Sequence, residues 1–345
     1  MNIKIGKKII GDAKPCYLIG EAGVNHNGSL DLAINLIDVA VSAGVDAVKF
    51  QSFKTENLIN EGVEKAPYQK GFVDSGENQF QMLKRLEMTI DQMARIKDYC
   101  VESGVEFLST PFDEESLDEL EQLGVSAYKV SSTDLTNLPF LIKVAQKNKP
   151  VFLSTGMSYF DEISLAVKTF EKFNSQLVLM HCTANYPILD SEVNLKNILR
   201  LQREFPGFII GFSDHSQGVG AAPYSLPLGA KVIEKHFTLD KTMDGPDHLA
   251  SLSPCELIDF VRQVRRAESF LGSELKYPTV SESLTRLSLQ KCLVAKKDIF
   301  IGELFSEENV VAKRTGGKGI SPIYFERVFG QNAKKNFRKN EVIEL

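Results

Sequence analysis

Residues 208–237 read FIIGFSDHSQGVGAAPYSLPLGAKVIEKHF, and this stretch contains the unit from which the whole chain is built. Two short apolar runs each end in polar residues, SDH in the first case and EKH in the second. Short β-type runs separated by longer segments mark parallel strands joined by crossovers. Toward the N-terminus the same unit recurs in CYLIGEAG (16–23), AVKFQSF (47–53), EFLSTPF (106–112), AYKVSST (127–133), VFLSTGM (151–157) and LVLMHCT (177–183). Amphipathic segments such as SLDLAINLIDVAVSAG (29–44), ESLDELEQLG (115–124) and CELIDFVRQVRRAESFLG (255–272) separate or follow them. Eight strand–helix units predict an α/β chain folded as a (β/α)8 TIM barrel. An open doubly wound sheet would alternate in the same way, but no strand–GxGxxG–helix fingerprint follows any of the runs.

The pattern breaks at KYPTVSESLTR (276–286), which reads as a linker. Beyond it the chain is short-stranded, punctuated by Gly, and rich in Lys and Arg. The expected organisation is a catalytic barrel over 1–275, a linker over 276–286 and a small β-rich domain over 287–345. A length of 345 residues suits a barrel with an appendage.

An apolar fraction of 43% and a charged fraction of 25% are those of a globular protein with enough material for a large core. A formal net charge of −5 argues against a nucleic-acid partner, which would call for a basic excess. No stretch of about 20 apolar residues is present, so no membrane partner is expected. The opening MNIKIGKKIIGDAKPCYLIGEAG has no apolar run followed by a cleavage signature, and the expected location is cytoplasmic. The five cysteines, Cys16, Cys100, Cys182, Cys255 and Cys292, form no C-x-x-C pair and read as reduced packing residues, Cys182 included.

The chemistry-bearing residues collect where the strands end, which is where a barrel places its active site. Three of the five histidines fall in neighbouring motifs: His215 in FSDHS, His236 in EKHF and His248 in GPDH. If those strands are adjacent, His215 and His236 converge, and two neutral imidazoles suit a divalent metal with positions left for substrate. A lone histidine more often satisfies a local hydrogen bond; two at corresponding strand ends favour the metal. Glu234, two residues before His236, faces the same way on a strand, and Glu21 ends the first strand; either carboxylate could be a base or a structural ion-pair partner. Lys49 and Lys129 end apolar strands, an expensive place for an ammonium without an anion. With Ser109, Thr110, Ser132, Ser154, Thr155 and Ser213 they form a candidate cradle for phosphate or carboxylate. The same lysines would also serve a Schiff-base aldolase.

The runs EAGVNHNG, VKFQSF, KAPYQ, STPFD, STGM, FSDHS, EKHFTLD and GPDHLAS resemble the sialic acid synthase family, whose members make N-acetylneuraminate, legionaminate or pseudaminate. The tail resembles that family's antifreeze-protein-like SAF domain. The resemblance implies a homodimer in which each SAF domain closes the partner's site. It implies Mn²⁺ on His215 and His236, with Mg²⁺ and Co²⁺ as other candidates. Lys49, Ser109, Thr110, Lys129, Ser132, Ser154 and Ser213 would surround phosphoenolpyruvate. Glu21, Gln51, Tyr186 and Asp247 would lie around the sugar, and Arg314 of AKRTGG would reach it from the partner. Catalytic roles fall to Glu21, Glu234, His215 and His236.

Two places depart from the family's pattern. Ser132-Thr133-Asp134 stands where many relatives have Ser-Gly-Glu, and Ala184-Asn185 where many have an asparagine or a Thr-Glu pair. Asp134 and Asn185 are therefore candidates for substrate fit. The implied reaction condenses phosphoenolpyruvate with N-acetylmannosamine and water to give N-acetylneuraminate and phosphate. The alternative is the same chemistry on 2,4-diacetamido-2,4,6-trideoxymannose, giving N,N'-diacetyllegionaminate; the rivals from other classes are the Schiff-base aldolase and a binding protein with a degenerate site.

Overall fold

The computed structural model of the chain describes residues 1–65, 76–173 and 176–345. It divides into two compact units, Met1–Gly272 and Ser273–Leu345.

The first unit opens with a hairpin, β1 (Asn2–Ile5) and β2 (Lys8–Gly11), paired antiparallel. Eight parallel strands follow: β3 (Tyr17–Gly23), β4 (Ala47–Ser52), β5 (Glu106–Pro111), β6 (Tyr128–Val130), β7 (Val151–Ser154), β8 (Leu177–Cys182), β9 (Ile209–Asp214) and β10 (Val232–His236). They form one sheet in the order β5-β4-β3-β10-β9-β8-β7-β6. β5 also lies against β6, so the sheet curls into a nearly closed barrel. Every one of the eight expected strands is present.

Helices surround this sheet, and the sequence explains their limits. Leu30–Ala43 begins where the Ser29 hydroxyl accepts from the amide of Leu32. It buries Ala33, Leu36, Ile37, Ala40 and Ala43, the spacing of one helical face. It stops at Gly44, whose φ of +81° is the left-handed cap conformation that a side chain resists. Pro254–Leu271 starts in the same way, with Ser253 and Glu256 forming a reciprocal capping box. Among the described residues no helix is long and apolar enough to cross a membrane.

Both faces of the strands are buried, and side chains alternate between them. Outward residues such as Leu18, Phe50, Phe107, Leu153, Leu179 and Ile233 pack against the helices. Inward residues including Ile19, Leu108, Phe152, Val178 and Val232 fill the barrel. Gly211 sits in that interior because a Cβ there would stand 2.3 Å from the sulfur of Met180. Ile3, Ile5 and Ile10 of the hairpin join the same interior cluster beside Tyr17, at the end where the strands begin. The hairpin thus stoppers the barrel floor, a role that the opening residues did not reveal as sequence.

In the second unit, β11 (Lys291–Ala295) and β12 (Val310–Arg314) pair antiparallel over a small core that includes Leu293, Ile299, Phe305, Val310 and Phe337. The stretch 276–286 is more than a connecting linker. It contains most of a helix, Val280–Leu289, started by a capping box between Thr279 and Glu282.

Candidate active site at the mouth of the barrel

Strand register sets the site. Glu21 on β3 is level with Lys49 on β4 and with His236 on β10. Ser213 on β9 is level with Glu234 on β10 and Cys182 on β8. Inward alternation then turns Glu21, Lys49, Gln51, Thr110, Lys129, Ser154, Cys182, Ser213, Glu234 and His236 into one cavity of about 440 Å³ at the strands' C-terminal ends. Ser132, Tyr186, His215 and Asp247 reach the same cavity from the loops.

At its floor lies a closed charge network. Lys49 Nζ is 2.6 Å from Glu21 and 3.8 Å from Glu234, and it donates to Thr110 Oγ1 at 3.0 Å. Lys129 Nζ donates to Glu234 Oε1 at 3.1 Å, and the Ser213 hydroxyl donates to the same oxygen at 3.0 Å. Gln51 reaches Glu21 Oε1 at 3.3 Å. Ser154 Oγ is buried with no hydrogen-bond partner among the described residues, which leaves it available to a ligand in the cavity.

This network drives the two carboxylates apart. Burial pushes the Glu21 carboxyl up to about 7, against the pull of Lys49 and with the help of Glu234. Burial acts on Glu234 too, but Lys129 and Lys49 outweigh it and hold that carboxyl down to about 2. Two buried carboxyls with opposite displacements are suited to opposite proton roles. Asp247 is raised to about 6 by burial, with His215 and Lys49 opposing. Lys49 loses charge stability to burial, yet Glu21 and Glu234 more than restore it and its pKa is raised.

His215 and His236 present their rings 5.5 Å apart, with Tyr186 4.1 Å from His215 and 5.4 Å from His236. His215 Nδ1 donates to the Thr183 carbonyl at 2.8 Å, which in the neutral ring leaves Nε2 carrying the lone pair. Burial lowers the basicity of His215, but Cys182 and the Thr183 carbonyl reverse the effect. Burial, with His215 and Lys49 adding to it, holds His236 well below the usual imidazole range, so it stays neutral. Its Nδ1 is buried without a hydrogen-bond partner and lies 3.9 Å from Asp247. Among the described residues no cluster of three or more His, Cys, Asp or Glu is arranged to hold a metal. The two imidazoles still fit a divalent cation, one with its lone pair set by a backbone carbonyl and the other with a partnerless nitrogen.

Some expected residues lie elsewhere. Ser109 faces outward and exchanges a 2.8 Å hydrogen bond with Ser52, because alternation along β5 turns Thr110 inward instead. Thr155 is tied to the Met180 carbonyl, outside the cavity. Asp134 does not line the cavity; it accepts from Asn137 and Thr133 in the turn after β6. At the other departure Ala184 lines the cavity and Asn185 does not. His248 bonds Thr238 and Asn27 in a structural role. Arg314 ends β12 in the second unit. Of KAPYQ, only Lys65 falls within the described residues.

Other lining residues escaped the sequence reading. Cys182, read as packing, faces the cavity with its sulfur 3.8 Å from His215 Nδ1. An apolar flank that includes Leu58, Ile59, Met82, Leu83 and Phe112 comes from two short helical segments and a strand end. Its residues are indistinguishable from ordinary core positions until the chain is folded.

A parallel barrel whose mouth gathers two lysines, two buried carboxyl groups and a histidine pair is a site able to hold a small anionic molecule. Comparison with known proteins makes this specific. The NeuB family matches residues 36–276 and the SAF domain matches residues 290–345. The chain belongs to the NeuB family, the phosphoenolpyruvate-dependent sialic acid synthases, with a C-terminal SAF domain. It is 44% identical over 333 residues to the N,N'-diacetyllegionaminic acid synthase of Campylobacter jejuni, covering 96% of this chain and 99% of the relative. It is 40% identical over 341 residues to the enzyme of the same name from Legionella pneumophila, covering 97% and 95%. A crystal structure of the N-acetylneuraminic acid synthetase of Leptospira borgpetersenii with citrate is similar, with a TM-score of 0.73 and 33% identity over 82% of this chain and 94% of that one.

Proposed function

We propose that this enzyme condenses phosphoenolpyruvate with 2,4-diacetamido-2,4,6-trideoxymannose and water to give N,N'-diacetyllegionaminate and phosphate. The observation that carries the chemistry is the Lys49–Glu234–Lys129 network beside the His215–His236 pair. The choice of sugar rests on the 44% and 40% identities to two N,N'-diacetyllegionaminic acid synthases. N-Acetylmannosamine, the sugar that the family resemblance first suggested, is thereby the second reading.

In this proposal Lys49 and Lys129 carry the charge that holds phosphoenolpyruvate, and the hydroxyls of Thr110, Ser132, Ser154 and Ser213 complete the cradle. Gln51, Tyr186 and Asp247 orient the open-chain sugar so that its aldehyde carbon meets the methylene carbon of phosphoenolpyruvate. A divalent cation, Mn²⁺ in the first instance, on His215 and His236 would supply electrophilic activation of the aldehyde. As the carbon–carbon bond forms, the aldehyde oxygen gains negative charge, and the buried Glu21 carboxyl, whose pKa is raised, is the group assigned to give it a proton. The enol carbon is left electron-poor; water adds there and gives its proton to the ionised Glu234. The C–O bond to phosphate then breaks with its electron pair going to the phosphate oxygen, which takes up the proton lost by the new C2 hydroxyl as that hydroxyl becomes the ketone. A homodimer in which Arg314 of one chain serves its partner's site belongs to the same proposal.

The lysines argue against the Schiff-base alternative, since Lys49 is kept protonated and Lys129 is engaged with Glu234. The deciding experiment measures phosphate release with phosphoenolpyruvate, Mn²⁺ and each sugar in turn. A specificity constant at least tenfold higher for the diacetamido sugar is expected. No release with either sugar overturns the proposal, and measured turnover excludes a mere binding protein.

A further inference from the structure

The cavity has two chemically different halves. All its charged groups sit at the strand ends and on the loop bearing Asp247, whereas Leu58, Ile59, Met82, Leu83 and Phe112 form a largely apolar flank on which Gln79 is the polar member. Three of these residues, Leu58, Leu83 and Phe112, pack on a separate small cluster of Val24, Phe53, Met82 and Leu86 rather than on the main barrel core. The flank has its own footing, and polar ties fix it from behind. Asn78 and Gln81 close a capping box at the start of the helix Gln79–Leu86. Glu87, just after that helix, accepts from both the amide and the hydroxyl of Thr55, which opens the helix Thr55–Leu58. Lys84 bridges the same two helices through Glu56 at 3.0 Å. These ties position the flank, and a positioned wall can discriminate by shape and polarity.

What it discriminates follows from its composition. The side chains of Leu58, Ile59, Met82, Leu83 and Phe112 give no partner to a buried hydroxyl, so a hydroxyl placed against them loses its water without compensation. A methyl group placed there gains contact and sheds ordered water. The reacting end of the sugar must lie at the charged floor, so the far end, C4 to C6 with the groups they carry, is the part left to meet this flank. We propose that Leu58, Ile59, Met82, Leu83 and Phe112 are specificity-determining residues that select sugars whose distal end carries methyl groups, on an acetamido group or a deoxy carbon, over sugars with hydroxyls there. This rests on the condensation assigned above and adds to it the part of the site that chooses the sugar.

The test compares Leu83→Asn with wild type, using phosphoenolpyruvate and Mn²⁺ with either 2,4-diacetamido-2,4,6-trideoxymannose or N-acetylmannosamine. The ratio of the two specificity constants should fall by about tenfold or more, the scale set by single apolar contacts in a substrate pocket, while the KM for phosphoenolpyruvate stays within a factor of two. Leu58→Gln, on the other helix, repeats the measurement if Leu83→Asn does not fold. An unchanged ratio in a folded variant overturns the selecting role, as does a wild-type preference for N-acetylmannosamine; in both cases phosphate release leaves the condensation standing. No phosphate release from wild type with either sugar overturns both.

Discussion

Lys129 and Glu234, 105 residues apart in sequence, meet at 3.1 Å inside the barrel, where the Ser213 hydroxyl donates to the same carboxylate oxygen. Each side chain is buried at the mouth of the barrel, where an unpaired charge is costly. The pair keeps Glu234 ionised at neutral pH and leaves Lys129 ready to exchange one anion for another.

Glu234→Gln keeps the shape of the side chain and removes its ability to take a proton. The kcat should fall by about 10²–10⁴-fold, the usual contribution of a positioned base. The KM for phosphoenolpyruvate should not rise, since Lys129 and Lys49 lose a competing anion. Steady-state kinetics decide; a variant with near-normal kcat removes Glu234 from the proton transfer.

Lys129→Met should raise the KM for phosphoenolpyruvate by roughly ten- to a hundredfold, equivalent to about 1.5–3 kcal/mol for a charged hydrogen bond. It also leaves Glu234 with the Ser213 hydroxyl at 3.0 Å and, among the described residues, Lys49 at 3.8 Å as its remaining ion-pair partner in the barrel, so urea unfolding should show a stability loss, at most about 3–5 kcal/mol. Borohydride added with a carbonyl substrate should leave no reduced adduct on Lys49 or Lys129. Trapping of either lysine would replace the proposed mechanism with a Schiff base.

His215→Ala and His236→Ala should each abolish turnover while the circular dichroism spectrum and melting stay close to wild type. Chelation should inactivate the wild-type enzyme, and Mn²⁺ should restore it. Calorimetric titration with Mn²⁺ provides a readout apart from activity. Equal Mn²⁺ affinity in wild type and both variants would show that these imidazoles hold no metal.

His26 links stability to pH. Its Nδ1 accepts from the Gly28 amide, its Nε2 is buried without a partner, and burial, with His248 adding to it, lowers its pKa to about 4. Unfolding releases the ring to an ordinary value near 6.5, so between these values the unfolded chain binds more protons and stability falls as pH falls. The full effect is on the order of 3 kcal/mol, at about 1.4 kcal/mol per pH unit, and it is complete near pH 4. His26→Gln should flatten the dependence of urea-unfolding free energy on pH between 6.5 and 4. An unchanged slope would mean that His26 titrates normally in the folded protein.

Much of this was legible before folding. Eight apolar runs and their polar ends predicted the barrel because strand and helix periods are local properties of the chain. Glu234 and His236 were legible as a same-face pair because two residues on one strand point alike. Ser109 was not, because in a barrel both faces of a strand are buried and polarity no longer marks the inside. Ser109 and Thr110 looked equivalent as hydroxyls, and only the neighbours in register separated them: Lys49 took Thr110, and Ser52 took Ser109.

The sequence by itself thus determined the architecture, the two histidines, the two lysines and the chemical class of the site. Only the tertiary structure decided that Glu21 and Glu234 carry opposite protonation tendencies, that Cys182 faces the cavity, and that Leu83 and Met82 form a wall instead of anonymous core. The physical reason is range. Backbone periodicity is encoded among near neighbours, whereas a pKa or an apolar surface depends on groups up to two hundred residues away that folding brings within a few ångströms.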